Sequence, residues 1–210
     1  RYGTVTGVQT CALPICRVIT DYCQKLLLEA GRSFTSSAEL ETVKDIKEKL
    51  CFVAQDYEAE WAAANSSSEL NKAYTLPDKS QIEVKGTLRM MVPELLFKPE
   101  LNGKTCMSIQ ALAWKSITES DLDTRRDLMK NIILSGGTTM YEGIANRLSK
   151  EISNLAPAGS EVKIIATSDR KFAVWKGAST LASLSTFEAS WITKEEYDDH
   201  GVSIVHRKCP

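Results

Sequence analysis

Three groups of residues carry functional groups at spacings that suit a ligand. The first lies in residues 131–143, NIILSGGTTMYEG, where an apolar, β-like run stops at Ser135-Gly136-Gly137 and gives way to a helical pattern. From Tyr141 onward, Ile144, Leu148, Ile152 and Leu155 recur at spacings of four, four and three, which is one apolar face of a helix. Gly136 and Gly137 then stand where backbone N–H groups at a helix start approach an anion with no side chain in the way. The second group is Lys44, Lys47 and Glu48, at i, i+3 and i+4, on the side of a helix that the Leu40-Val43-Ile46 stripe leaves free. A functional role there would require a lysine to reach a base or phosphate while the carboxylate accepts hydrogen bonds from ribose hydroxyls. The third is Lys171, a few residues beyond a second strand, at the edge of a sheet where ligands commonly bind. Each has a plainer alternative: a short strand-to-helix connection, a solvated charged face, and a surface lysine at a helix start.

Other chemistries find less support. His200 and His206 are the two histidines, and neither pairs with a serine or cysteine in a nucleophile motif. Asp198, Asp199 and His200 are adjacent on a polar tail and read as solvated rather than as metal ligands. The cysteines, at 11, 16, 23, 51, 106 and 209, form no C-x-x-C pair and suit reduced thiols. Twenty-six basic against twenty-seven acidic residues give a net charge of -1, so nothing draws the chain to nucleic acid or an anionic membrane. No apolar run has the length for membrane insertion.

The elements that must position these groups follow from pattern and punctuation. Residues 20–30 read as a helix stopped by Gly31, and Ser36 with Glu39 forms a capping box for a second helix whose apolar stripe runs on to Val53. A polar break at residues 65–68 precedes a hairpin, with residues 74–76 and 81–84 flanking Pro77-Asp78-Lys79. Pro93 fits the first turn of a short helix, PELLF, and residues 98–108 a loop. Two short helices, residues 109–117 and 122–130, lead to the glycine turn. Residues 162–166 read as a strand, so residues 131–166 form a strand, helix, strand unit with a parallel pairing. Residues 172–184 are again helical, and Thr193 with Glu196 makes a second capping box.

With these strings assembled, the chain resembles actin from about Arg17 to Cys209. LSGGTTMYEGIANR at 134–147, DIKEKLCFVA at 45–54, DRKFAVW at 169–175, LASLSTF at 181–187 and SIVHRKC at 203–209 all stand in actin order and spacing. The kind resembled is a divergent, conventional actin of protists, and the matching part is the C-terminal one. The resemblance implies an α/β, actin-like ATPase (ribonuclease H-like) fold, C-terminal half only, with a mixed sheet flanked by helices and a small helical subdomain. It implies residues 17–103 as the outer subdomain of a nucleotide cleft, 104–171 as an inner α/β subdomain, and 172–210 as helices of the other large domain. Residues 5–15, VTGVQTCALPI, resemble a translated library adapter, so residues 1–16 are expected to be a non-native leader.

The implied cofactor is ATP or ADP with Mg. Gly136, Gly137 and Thr138 would face phosphate and ribose, and Met140 and Tyr141 would pack near adenosine. Lys47 and Glu48 would contact base and ribose, with Lys44 a nearby basic position and Lys171 beside the adenine. The phosphate-clasping hairpins, metal-organising carboxylates and water-orienting residues of actins precede the matching part, so no catalytic or metal residue is assigned here. Although the family hydrolyses ATP on polymerisation, the chain alone is not expected to do so. Implied partners are further copies in a filament and actin-binding proteins at a groove near Lys176, Thr180, Leu181, Leu184 and Ser190, in a cytoplasmic cytoskeleton. That groove departs from the family at Lys176, Thr180 and Ser190, usually apolar. Glu142 stands where animal actins carry proline, and Pro210 replaces an aromatic end. A different class, an actin-related subunit of a larger complex that does not polymerise, is the alternative; a sugar-kinase-type enzyme would share the fold without these strings.

Overall fold

The computed structural model describes residues 6–208, with side chains from Arg17 onward. Of the expected leader, residues 1–5 lie outside the described residues, as do Cys209 and Pro210; residues 6–16 continue the backbone of the first helix, α1 (Thr6–Glu29). On α1, Ile19, Tyr22, Cys23 and Leu27 are buried at i, i+3, i+4 and i+8, the face that packs on α2 (Ser37–Leu50). The capping box forms as expected: Glu39 N–H donates to Ser36 Oγ at 3.3 Å, and Ser36 N–H donates to the Glu39 carboxylate at 2.8 Å.

The helix expected to run to residue 54 ends at Leu50. Cys51 is extended, Phe52 N–H donates to Arg89 C=O at 3.3 Å, and Val53 N–H to Glu142 C=O at 2.9 Å, so tertiary partners take the amides that another helical turn would use. Arg89 C=O is available because Pro93, four residues on, has no N–H to give it. Pro93 therefore does not open a helix: it lies near the end of α4 (Gly86–Glu94), whose missing hydrogen bond becomes the anchor for residue 52. Between these elements stand α3 (Tyr57–Ser66) and the antiparallel hairpin β1 (Lys72–Thr75) and β2 (Gln81–Val84). Sequence reading missed α3 because only Ala64 is buried on it, so no apolar stripe marks it; Asp56 caps its start.

After a 3-10 turn at Pro99–Asn102 come α5 (Ile109–Glu119) and α6 (Arg125–Lys130), the latter shorter than expected. β3 (Ile132–Ile133), α7 (Ile144–Leu155) and β4 (Ile164–Ile165) form the expected unit, with β3 and β4 parallel. Ile144, Leu148 and Ile152 are buried, whereas Leu155, last on the stripe, is 45% exposed. The mixed sheet is not continuous: among the described residues it is two separate two-stranded sheets, β1-β2 and β3-β4.

Beyond residue 171 the chain forms α8 (Ala173–Ala182), a 3-10 turn at Ser185–Ser190, α9 (Lys194–His200) and α10 (Ile204–Lys208). Thr193 and Glu196 make the second capping box. Only Ile204 is buried here among the described residues, and Val174 and Trp175 stand 74% and 69% exposed.

Candidate functional site

The site begins where β3 runs out. Gly136 takes φ 94 and ψ 161, a conformation that a residue with a Cβ rarely adopts, and its N–H donates to Arg170 C=O at 2.9 Å. The Arg170 guanidinium answers with Nε to Thr139 C=O at 3.0 Å, so the glycine turn and the turn carrying Lys171 are tied in both directions. Thr139 closes the turn on itself, donating through N–H at 3.1 Å and Oγ1 at 2.8 Å to Gly136 C=O. The Gly136 amide is therefore committed to protein and is not available to an anion, contrary to expectation. Gly137 differs: its φ is not positive, and a Cβ there would meet nothing within 4 Å. Neither strain nor protein crowding requires a glycine at 137, and its open side leaves room for a ligand to approach the backbone.

The far end of the turn is fixed to the segment leaving α2. Phe52 and Glu142 form a parallel bridge, and Gln55 Nε2 donates to Gly143 C=O at 3.0 Å. Gly143 has φ 82, and a Cβ there would stand 2.5 Å from Val53 C=O. Below it, Arg147 donates to Ala54 C=O at 2.8 Å and to both oxygens of Glu94, and it lies 4.7 Å from the Phe97 ring centroid. Burial pushes the Glu94 carboxyl above its ordinary pKa, and the Arg147 hydrogen bonds oppose that rise.

The structure brings Glu48 and Lys171 together, with Nζ 3.9 Å from the carboxylate and both side chains about half exposed. Met140 is exposed, Tyr141 is buried and Thr138 is half-buried in the same turn. Lys47 departs from expectation. It is buried, and its ammonium donates to Thr20 Oγ1 of α1 at 2.9 Å rather than standing on a free charged face. Lys44 is exposed and pairs along its own helix with Glu41 at 3.1 Å, a contact that holds its pKa above the ordinary value. Of the nine expected residues, the turn at 136–141, Glu48 and Lys171 share one region, while Lys44 and Lys47 are engaged elsewhere.

Sequence reading passed over Arg170, Gln55, Glu94 and Arg147, which hold the site in shape. The signal was there for two of them: Glu94 is a charge inside the apolar run of residues 92–97, and Arg147 stands on the Ile144-Leu148 stripe. Charges set into apolar faces have partners.

Among the described residues no group of three or more His, Cys, Asp or Glu gathers into a metal-binding cluster. A cleft of about 350 Å³ lies away from this region, between α1 and the β2-α4 junction, lined by Leu27, Val84, Leu88 and Met91 together with Glu29 and Arg32. At the expected partner groove, Phe172, Trp175 and Lys176 line a shallow depression, Lys176 Nζ bonds Asp169 at 2.7 Å, and Thr180, Leu181, Leu184 and Ser190 are exposed. No helix among the described residues is long and apolar enough to cross a membrane.

A strand-to-helix glycine turn, stapled to a basic turn and set against the end of another helix, is the arrangement of an α/β unit. The family model for actin matches residues 16–210, and the chain belongs to the actin family.

Proposed function

We propose that this chain supplies the nucleoside side of an adenine-nucleotide site and that, as an actin-like cytoskeletal protein, it assembles into filaments in the cytoplasm. The observation that carries the nucleotide reading is the grouping of Gly137's open backbone face with the exposed Glu48 and Lys171 pair. Glu48 accepts hydrogen bonds from ribose hydroxyls, Lys171 lies beside the base, and the backbone at Gly137 and Thr138 faces the phosphate side. Met140, which is exposed, provides apolar surface for adenosine, and the buried Tyr141 anchors the turn that carries it. Lys47 reaches the ligand only by leaving Thr20, so it is a weaker contributor than Glu48. A magnesium ion bound with the nucleotide would neutralise phosphate charge, and no described carboxylate cluster of this chain is assigned to hold it.

Titration of a fluorescent etheno-ATP into the chain, competed by ATP and by GTP, tests the nucleotide reading. Saturable binding displaced by ATP is expected, and fluorescence unchanged across the titration would reject it. Sedimentation of the chain with ATP and magnesium tests assembly; nucleotide binding without pelleting would favour the subunit of a larger complex.

A further inference from the structure

We infer that the cleft between α1 and the β2-α4 junction binds a medium-chain alkyl carboxylate, its chain on the apolar lining and its carboxylate on Arg32 and Lys85. Three local features build the cleft. α1 ends in a pair of bonds, Arg32 N–H to Leu27 C=O at 2.8 Å and Gly31 N–H to Leu28 C=O at 2.9 Å, with Gly31 at φ 79, and this turn sets Arg32 against the last turn of the helix. β2 alternates, so Ile82 and Val84 are buried while Glu83 is exposed. The chain then enters α4 at Gly86, whose N–H donates to Asn71 Oδ1 at 2.9 Å and where a Cβ would stand 2.5 Å from the Leu70 Cβ.

Between these elements Leu27, Val84, Leu88 and Met91 line a space of about 350 Å³, a size found among small-molecule sites. No aromatic side chain among the described residues lines it, so nothing there selects a flat ring, and the thioether of the partly buried Met91 adapts to a flexible chain. Charge decides the head group. Glu29, Arg32, Glu83 and Lys85 are the ionisable side chains of the lining, and protein groups answer both acids: Glu29 lies 4.0 Å from Lys25 Nζ, and Glu83 accepts from Asn71 Nδ2 at 3.2 Å. The Arg32 and Lys85 side chains have no ion pair or hydrogen bond among the described residues, and α4 opens beside Lys85 with no acidic residue in its first turn. The unanswered charge is positive, and a carboxylate complements it. The depression at Phe172 and Trp175 differs, because its Lys176 is already held by Asp169 at 2.7 Å. The cleft shares no residue with the glycine turn, so its occupant is independent of the nucleotide reading.

The test titrates octanoate, well below its micelle-forming concentration, into the full chain labelled at Leu, Val and Met methyl groups and at Trp nitrogens, followed by NMR. Octan-1-ol and octylammonium, with the same chain and a neutral or positive head, are the comparisons. Saturable shifts at Leu27, Val84, Leu88 and Met91 are expected with octanoate, with both comparisons binding more weakly. Arg32→Gln with Lys85→Gln should weaken octanoate by about tenfold, whereas Glu83→Gln, which removes a like charge, should leave it as tight or tighter. These are exposed side chains, so the variants should keep the parent's methyl spectrum. Equal binding of octan-1-ol, shifts centred on the Trp175 indole, or unchanged affinity in the double variant would overturn the inference, as would no saturable shift at the cleft.

Discussion

The Arg147 guanidinium meets both carboxylate oxygens of Glu94, at 3.1 and 2.9 Å, where neither side chain is more than 6% exposed. The pair joins α7 to α4, and the same guanidinium holds the Ala54 carbonyl of the segment leaving α2. Three elements that frame the glycine turn thus meet at one side chain. Removing it as Arg147→Met leaves Glu94 as an uncompensated buried charge, and the expected cost is about 3–5 kcal/mol. Adding Glu94→Gln should recover a large part of that loss, which a double-mutant cycle by urea unfolding measures. The pH dependence has a definite sign. The folded pKa of Glu94 lies above its ordinary value, so protonation favours the folded chain, and this contribution is lost as pH rises through the folded pKa. Arg147→Met removes the influences that oppose the rise, so the variant's deficit should be smaller at pH 5 than at pH 7.

Gly137 and Gly143 separate ligand from protein as the reason for a glycine. Gly143→Ala forces a Cβ to 2.5 Å from Val53 C=O at φ 82, and the expected loss is about 1–3 kcal/mol of stability. Gly137→Ala meets open space at an ordinary φ, so its unfolding midpoint should stay within about 0.5 kcal/mol of the parent or rise slightly. If the backbone there faces phosphate, Gly137→Ala still weakens etheno-ATP binding; unchanged affinity would remove that turn from the site.

What could be read in advance was what neighbouring residues in the chain decide. Ser36 with Glu39, Thr193 with Glu196 and the hairpin around Pro77-Asp78-Lys79 rest on residues close in the chain, and the β3-α7-β4 unit on the local apolar pattern of each of its elements, although its strand pairing joins Ile132 to Ile164. What could not be read was set by partners distant in the chain. Arg89 and Glu142 carbonyls end α2 early, Pro93 becomes useful because Phe52 answers its missing N–H, and Lys47 turns to Thr20, 27 residues away. The candidate site divides the same way: the glycine turn was legible as a strand-to-helix punctuation, while Arg170, which fastens it, is visible only once residues 136 and 170 are seen as neighbours.

Glu48 and Lys47, adjacent in sequence, should fail differently. The Glu48–Lys171 contact is exposed and 3.9 Å long, a kind of pair worth about 0–1 kcal/mol, so Glu48→Gln should leave stability near the parent. Its loss of nucleotide affinity should be about tenfold if the carboxylate accepts ribose hydroxyls, because a charge-assisted acceptor becomes a neutral one. Lys47→Met removes the hydrogen bond to Thr20 between α1 and α2 and should lower stability by about 1 kcal/mol, with a smaller change in affinity. Paired thermal unfolding and etheno-ATP titration of the two variants checks the assignment, and the reverse ordering of affinities would show that Lys47 leaves Thr20 for the ligand.

Tyr74 ties the hairpin to α2, its hydroxyl donating to Asp45 at 2.5 Å while Lys49 holds the same carboxylate at 2.8 Å. The two titrating groups bound the stability of this contact from opposite sides. Lys49 first, and then Tyr74, hold the Asp45 carboxyl below its ordinary pKa of 3.8, so its contribution is present above that value and is lost as pH falls through the lower folded pKa. The Asp45 hydrogen bond, with some burial, pushes Tyr74 up from 10.0 to about 12, so the hydroxyl's contribution is complete below pH 10.0 and is lost as pH rises through about 12. Absorbance titration of tyrosinate should therefore show a component near pH 12 that disappears in Tyr74→Phe, leaving the Tyr57 component, which burial also places at about 12. Tyr74→Phe should lower stability by about 1 kcal/mol at neutral pH, and hydrogen exchange should rise in the amides that pair β1 with β2 rather than in those of α7.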